Sequence, residues 1–168
     1  MKTKDTSVTF DPYGFVYNAG DVEWKRILVP LDFTDSSARA LDYAIPLARR
    51  SGAKLVLLHI VQLPIMPIPA VTGGAMGQVR EAHKVLVQEA KARLEGLAKT
   101  IDVPGLVTHQ AVMVGIAWDE IVKAAKRLEC DLVVISTHGH SGLMRMISSN
   151  TAEHVVRAAT CPVLCVRG

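Results

Sequence analysis

The residues richest in chemistry stand together at Ser136-Thr137-His138-Gly139-His140-Ser141-Gly142, and Ser148-Ser149-Asn150-Thr151 follow shortly after, where a helix should begin. Small hydroxyl-rich residues that feed a helix N-terminus leave backbone N–H groups free and aligned with the helix dipole. That makes an anion site, and phosphate is the anion it suits. The same residues also serve as a plain turn and cap, and one such loop is a weak signal. Asp32, which ends the apolar run Ile27 to Leu31, is the second candidate: its carboxylate stands where a ligand of such a sheet would lie, and equally suits the cap of the helix that follows. His138 and His140, with His59 and His154 elsewhere, are of a metal-binding type, but no cysteine or carboxylate cluster stands with them at ligand spacing. There is no nucleophile elbow and no ordered Ser, His and Asp, so hydrolysis has no placed base.

These residues need elements to hold them. Thr34-Asp35-Ser36-Ser37 offers caps ahead of Ala40, Leu41, Ala44, Ile45 and Ala48 at helical spacing, and Ser51-Gly52 stops that helix. Lys54 to Val61, KLVLLHIV, is a continuous apolar strand of the kind buried on both faces of a parallel sheet. Gln78 to Thr100 carries an amphipathic helix, and Val107 to Val114 a third strand. Gly115 opens a turn into a helix over 118–128. A fourth strand follows over 131–136, then a helix over 148–159 and a last strand, VLCVR, over 163–167. Strands alternating with helices predict an α/β fold with an open, doubly wound parallel sheet. In such sheets a ligand sits beyond the carboxyl ends of the strands where the winding reverses, near Asp32, residues 60–63, Gly115 and residues 136–142.

With 168 residues, 49% hydrophobic and 21% charged, the chain suits one domain with a real core and excludes a disordered or fibrous protein. A net charge of +3, dispersed along the sequence, is too small for a nucleic-acid binder. Cys130, Cys161 and Cys165 form an odd, sparse set, and MKTKDTSVTF lacks the apolar core of a signal peptide, so a cytoplasmic protein with free thiols is expected. Cys161 and Cys165 lie about 13 Å apart along a strand, too far to bridge. The longest charge-free run, Leu55 to Val79, is broken by prolines and glycines and predicts no membrane span. Residues 1–23 form an arm ahead of a domain over 24–168. Five of the eight aromatics fall in the first 24 positions, so the arm either docks on its own domain or a partner, or is a loose tail.

The runs ILVPLDFTDSSARALDYA, LVLLHIV, VGIAWDEIVKAA, DLVVISTHGHSGLMR and AEHVVRAATCPVLCVR, in this order over about residues 25–167, resemble the universal stress protein family. The resemblance implies a five-stranded sheet in order 3-2-1-4-5, the adenine nucleotide alpha hydrolase-like arrangement. It also implies a homodimer, and in many members ATP or another adenine nucleotide at the carboxyl edge, in a family regulatory rather than clearly catalytic. The family's phosphate loop, G-x2-G-x9-G-[ST], falls on Ser136, Gly139, Ser149 and Asn150, so only one glycine of three remains. Pro30, Asp32, Ile60 and Ile135 match the adenosine half better, and Thr151 completes the cofactor-binding set. Glycine matters where backbone approaches phosphate, since a Cβ has no room there, but Ser136, Ser149 and Asn150 are small donors. Weakened adenine-nucleotide binding is the expected function. The alternative is a nucleotide-free stress or interaction protein working through its dimer surface, arm and loop with unknown protein partners. Slow ATP hydrolysis ranks last.

Two segments complete the reading. The strand 163–167 would leave an uncovered sheet edge, and a second subunit is its simplest cover. Residues 62–77, QLPIMPIPAVTGGAMG, leave the sheet beside the proposed site without a charge. They read either as a lid over the nucleotide or as an apolar loop packed in the core.

Overall fold

A computed structural model describes residues 8–10, 16–18, 23–62, 74–101, 103–137 and 149–167. Two short strands, β1 (Val8–Phe10) and β2 (Val16–Asn18), pair antiparallel within the arm. From there the chain alternates: β3 (Arg26–Pro30), α1 (Asp35–Ser51), β4 (Lys54–Val61), α2 (Gly74–Thr100), β5 (Val107–Val114), α3 (Ala117–Arg127), β6 (Leu132–Ser136), α4 (Ser149–Ala158) and β7 (Val163–Val166). The five later strands form one parallel sheet ordered β5-β4-β3-β6-β7, which is 3-2-1-4-5 counted from β3.

The central strands are apolar along most of their length because helices cover both of their faces; the exceptions are Arg26, Lys54, His59 and Ser136. Alternate residues divide between two cores. Ile27, Val29, Leu55, Leu57, Leu132 and Val134 pack against Ala40, Leu41, Ala44 and Ala48 of α1 and Leu94 of α2. Leu28, Val56, Leu58, Ile60, Val133 and Ile135 pack against Ile121, Ala124 and Ala125 of α3 and Ala152 and Val155 of α4. One helix pair thus lies on each face, as a doubly wound sheet requires. The edge strands differ from the centre: β5 carries only partly buried and exposed residues, and β7 has one buried residue, Val166, beside exposed Leu164 and Cys165.

The predicted helix stops hold. Thr34 is the N-cap of α1, its hydroxyl accepting from the Ser37 N–H at 3.3 Å, and Gly52 ends the helix at φ 73, a conformation that suits glycine. One boundary moves. α2 begins at Gly74, so the last four residues of the stretch 62–77 are helical. A glycine inside a helix costs only about 1 kcal/mol, which a 27-residue helix absorbs. Gln62 follows the end of β4, and the intervening residues 63–73, on which the lid reading mainly falls, lie outside the described residues.

Distant parts of the chain are clasped at the amino edge. The Asp131 carboxylate accepts from the backbone N–H of Lys25 at 2.7 Å and of Arg26 at 3.1 Å, across 106 and 105 residues. In return the Asp131 N–H donates to the Arg26 carbonyl at 3.0 Å. The Arg26 guanidinium donates to the Leu128 carbonyl at 2.8 Å and pairs with Glu129 at 3.1 Å. The clasp fixes β6 beside β3, where the winding reverses.

Candidate functional site

At the other end of those strands, the parallel register aligns Pro30 with Leu58 and Leu28 with Val133. Continued by two residues, it sets Asp32 beside Ile60 and Pro30 beside Ile135, at the carboxyl ends of β4, β3 and β6. Pro30 and Ile135 are buried, Ile60 is nearly so, and Asp32 is partly exposed. Ile60 and Ile135 both belong to the core under α3 and α4. The N-terminus of α4 follows from β6 and brings in Ser149, Asn150 and the buried Thr151. The sequence-predicted residues therefore come from four separate elements, β3, β4, β6 and α4.

Ser136 differs from its neighbours. It is the last residue of β6, is 3% exposed, and pairs with Val166 of the core under α1 and α2. Strand alternation places its side chain with Leu132 and Val134, on the opposite face from Ile135. Gly139 lies outside the described residues, as do His138, His140 and the rest of the loop to 148.

Asp32 has a definite local task. Its Oδ1 accepts from the Thr34 backbone N–H at 3.1 Å and from the Thr34 hydroxyl at 2.6 Å. That turn presents Thr34 as the cap of α1. Among the described residues no donor is paired with Oδ2, which remains able to accept from a ligand. The capping and ligand readings of Asp32 are thus compatible, one for each oxygen.

Three further residues meet behind Asp32, none of them singled out by the motif. Phe33 has φ 62, in the left-handed region that a bulky side chain rarely enters. Its ring stacks on His59 at 4.5 Å between centroids, and the Arg93 guanidinium lies 4.0 Å from its centroid on α2. His59 Nδ1 is 2.7 Å from the Leu31 carbonyl, so the neutral ring donates there. Burial pushes the His59 pKa below its ordinary value and Arg93 pushes the same way, against the Leu31 hydrogen bond and the Asp32 carboxylate.

Gly115 closes β5 as predicted. Its N–H donates to the Val61 carbonyl at 3.2 Å, and at φ 155 an added Cβ would come within 2.9 Å of the Glu120 side chain. His154 lies against Trp118, at 5.4 Å between ring centroids. Among the described residues no three of His, Cys, Asp and Glu gather as a metal group. Cys130, Cys161 and Cys165 are free, and burial raises all three thiols, Cys130 to about 11. A cavity of about 410 Å³ lies at the far end of the strands, between the end of α2 and the start of β5, and includes none of the site residues.

Comparison with known proteins decides the family: its model, described as the universal stress protein family, matches residues 23–167. The chain belongs to the universal stress protein family. Universal stress protein MJ0531 of Methanocaldococcus jannaschii is 30% identical over 149 residues, covering 88% of this chain and 85% of that relative. The solved structure of MJ0577 superposes with a TM-score of 0.73 at 26% identity, covering 88% of this chain and 98% of that one. Two more distant universal stress protein structures share the fold. One, solved in complex with cAMP, has a TM-score of 0.55 at 23% identity, covering 86% of this chain and 98% of that one. The other, from Arabidopsis thaliana with AMP bound, has a TM-score of 0.56 at 21% identity, covering 85% of this chain and 91% of that one. The fold and the order of the matched segments are those of universal stress proteins, and no described helix is long and apolar enough to cross a membrane.

Proposed function

We propose that this universal stress protein is a cytoplasmic, homodimeric regulator that binds an adenine nucleotide at the carboxyl edge of its sheet. The observation that supports the reading is the alignment of Asp32, Ile60 and Ile135 at the carboxyl ends of β3, β4 and β6, with Ile60 and Ile135 in the core shared with Ala152 of α4. Crevices of this kind hold ligands in open α/β sheets. Ile60 and Ile135 supply apolar wall for a base, Asp32 Oδ2 an acceptor for a ribose hydroxyl or the adenine amine, and the N-terminus of α4 a partner for phosphate. The relatives solved with AMP and cAMP support an adenine ligand.

Isothermal titration with ATP, ADP, AMP and cyclic AMP tests this. Saturable binding of at least one nucleotide, weakened by Asp32→Asn, is the expected result. Absence of heat with all four would favour the second reading, a nucleotide-free interaction protein. That reading rests on the uncovered edge of β7, where Leu164 and Cys165 are exposed.

A further inference from the structure

The Asp32 turn is strained, and the strain has identifiable supports. A bulky residue in the left-handed region persists only where its surroundings over-determine it. Glycine or asparagine would take φ 62 at position 33 more cheaply than phenylalanine. Capping of α1 does not call for an aromatic ring there, since Thr34 and Asp32 perform it with their own side chains. What the ring adds is a cluster of contacts: the Arg93 guanidinium lies 4.0 Å from its centroid and the His59 imidazole 4.5 Å from it, tilted by 31°. His59 is in turn held to the backbone of Leu31, directly before Asp32.

We propose that Arg93 and Phe33 are positioning residues for nucleotide binding: the cluster of Arg93, Phe33 and His59 holds the turn 31–34 in the form that leaves Asp32 Oδ2 facing the ligand. The proposal rests on the adenine-nucleotide reading of the site and adds to it a dependence on α2, which contributes no predicted contact residue. Because Arg93 sits on α2, whatever shifts that helix along the sheet also shifts the Asp32 turn. The charged groups facing His59 are Arg93 from α2 and Asp32 from the turn after β3. Protonating the imidazole would set a second cation against the Phe33 ring that Arg93 already contacts, and Arg93 repels it, so the cluster requires neutral His59.

The test is calorimetric titration of AMP into the wild-type chain and the Arg93→Met, Arg93→Lys and Phe33→Leu variants between about pH 5.5 and pH 8, with His59 followed by NMR. At the upper pH, Arg93→Met and Phe33→Leu should each weaken AMP by about tenfold, and Arg93→Lys, which keeps a cation over the ring, by clearly less. Wild-type affinity should fall as His59 protonates. In Arg93→Met that acid limb should begin at higher pH, because the opposing guanidinium is gone. A merely structural role would lower thermal stability without moving the limb. AMP affinity within about twofold of wild type in both Arg93→Met and Phe33→Leu overturns the positioning role. Absence of AMP binding to wild type at every pH overturns the nucleotide reading itself, and this proposal with it. Arg93 is exposed, so its variants report whether or not Phe33→Leu folds.

Discussion

At the scale of single residues, His59 ties folding to pH. Its folded pKa lies below the ordinary value of 6.5, chiefly through burial. Between the folded value and 6.5 the unfolded chain therefore holds more protons, and acid favours unfolding. The contribution is fully present above 6.5 and is lost as pH falls through the folded value. The thermal midpoint should drop as pH is lowered below 6.5, and His59→Gln, which keeps a donor for Leu31, should flatten that slope; an unchanged slope would exclude His59 as its source. Asp32 was legible in the sequence because a carboxylate ending an apolar strand and preceding Thr-Asp-Ser-Ser has few other uses. Phe33, His59 and Arg93 were not. They meet from three segments far apart in the chain, and nothing in an aromatic residue announces a positive φ.

Among the elements, β3, β4 and β6 were legible because strands buried on both faces need uninterrupted apolar residues, and the chain has only a few such runs. The start of α2 was misjudged, since glycines signal loops more strongly than they prevent helices. Ser136 shows how alternation refines a motif. Its position in the loop pattern suggested crowding of phosphate, yet it is buried, and strand alternation turns its side chain to the face of Leu132 and Val134. The residues to change are those at the start of α4. The double variant Ser149→Gly, Asn150→Ser should tighten ATP by roughly 1 to 3 kcal/mol and AMP by less, whereas Ser136→Gly should lower stability without that selectivity. Calorimetry with both nucleotides checks it, and equal gains for ATP and AMP would count against a phosphate effect.

For the whole molecule, the sheet's two edges need different answers. β7 is four residues long, with Leu164 and Cys165 exposed, and its outer backbone groups invite a partner strand. If a second copy covers it, Leu164→Lys should convert a dimer to monomer in sedimentation, and a native monomer or an undisturbed variant dimer would place the interface elsewhere. The clasp at Asp131 bears on a different property, the order in which the molecule assembles. β3 meets β4 across 28 residues but meets β6 only by closing a loop of 106, which costs roughly 1 kcal/mol more chain entropy. Contacts that distant are formed slowly. Chain entropy thus favours building β3 to β5 with α1 and α2 first and docking the C-terminal third late. The proposed nucleotide site straddles that last seam, with Asp32 and Ile60 on one side and Ile135 and α4 on the other. If a nucleotide binds there, it binds only after docking, and so would act as a fastener on the step that chain entropy makes last.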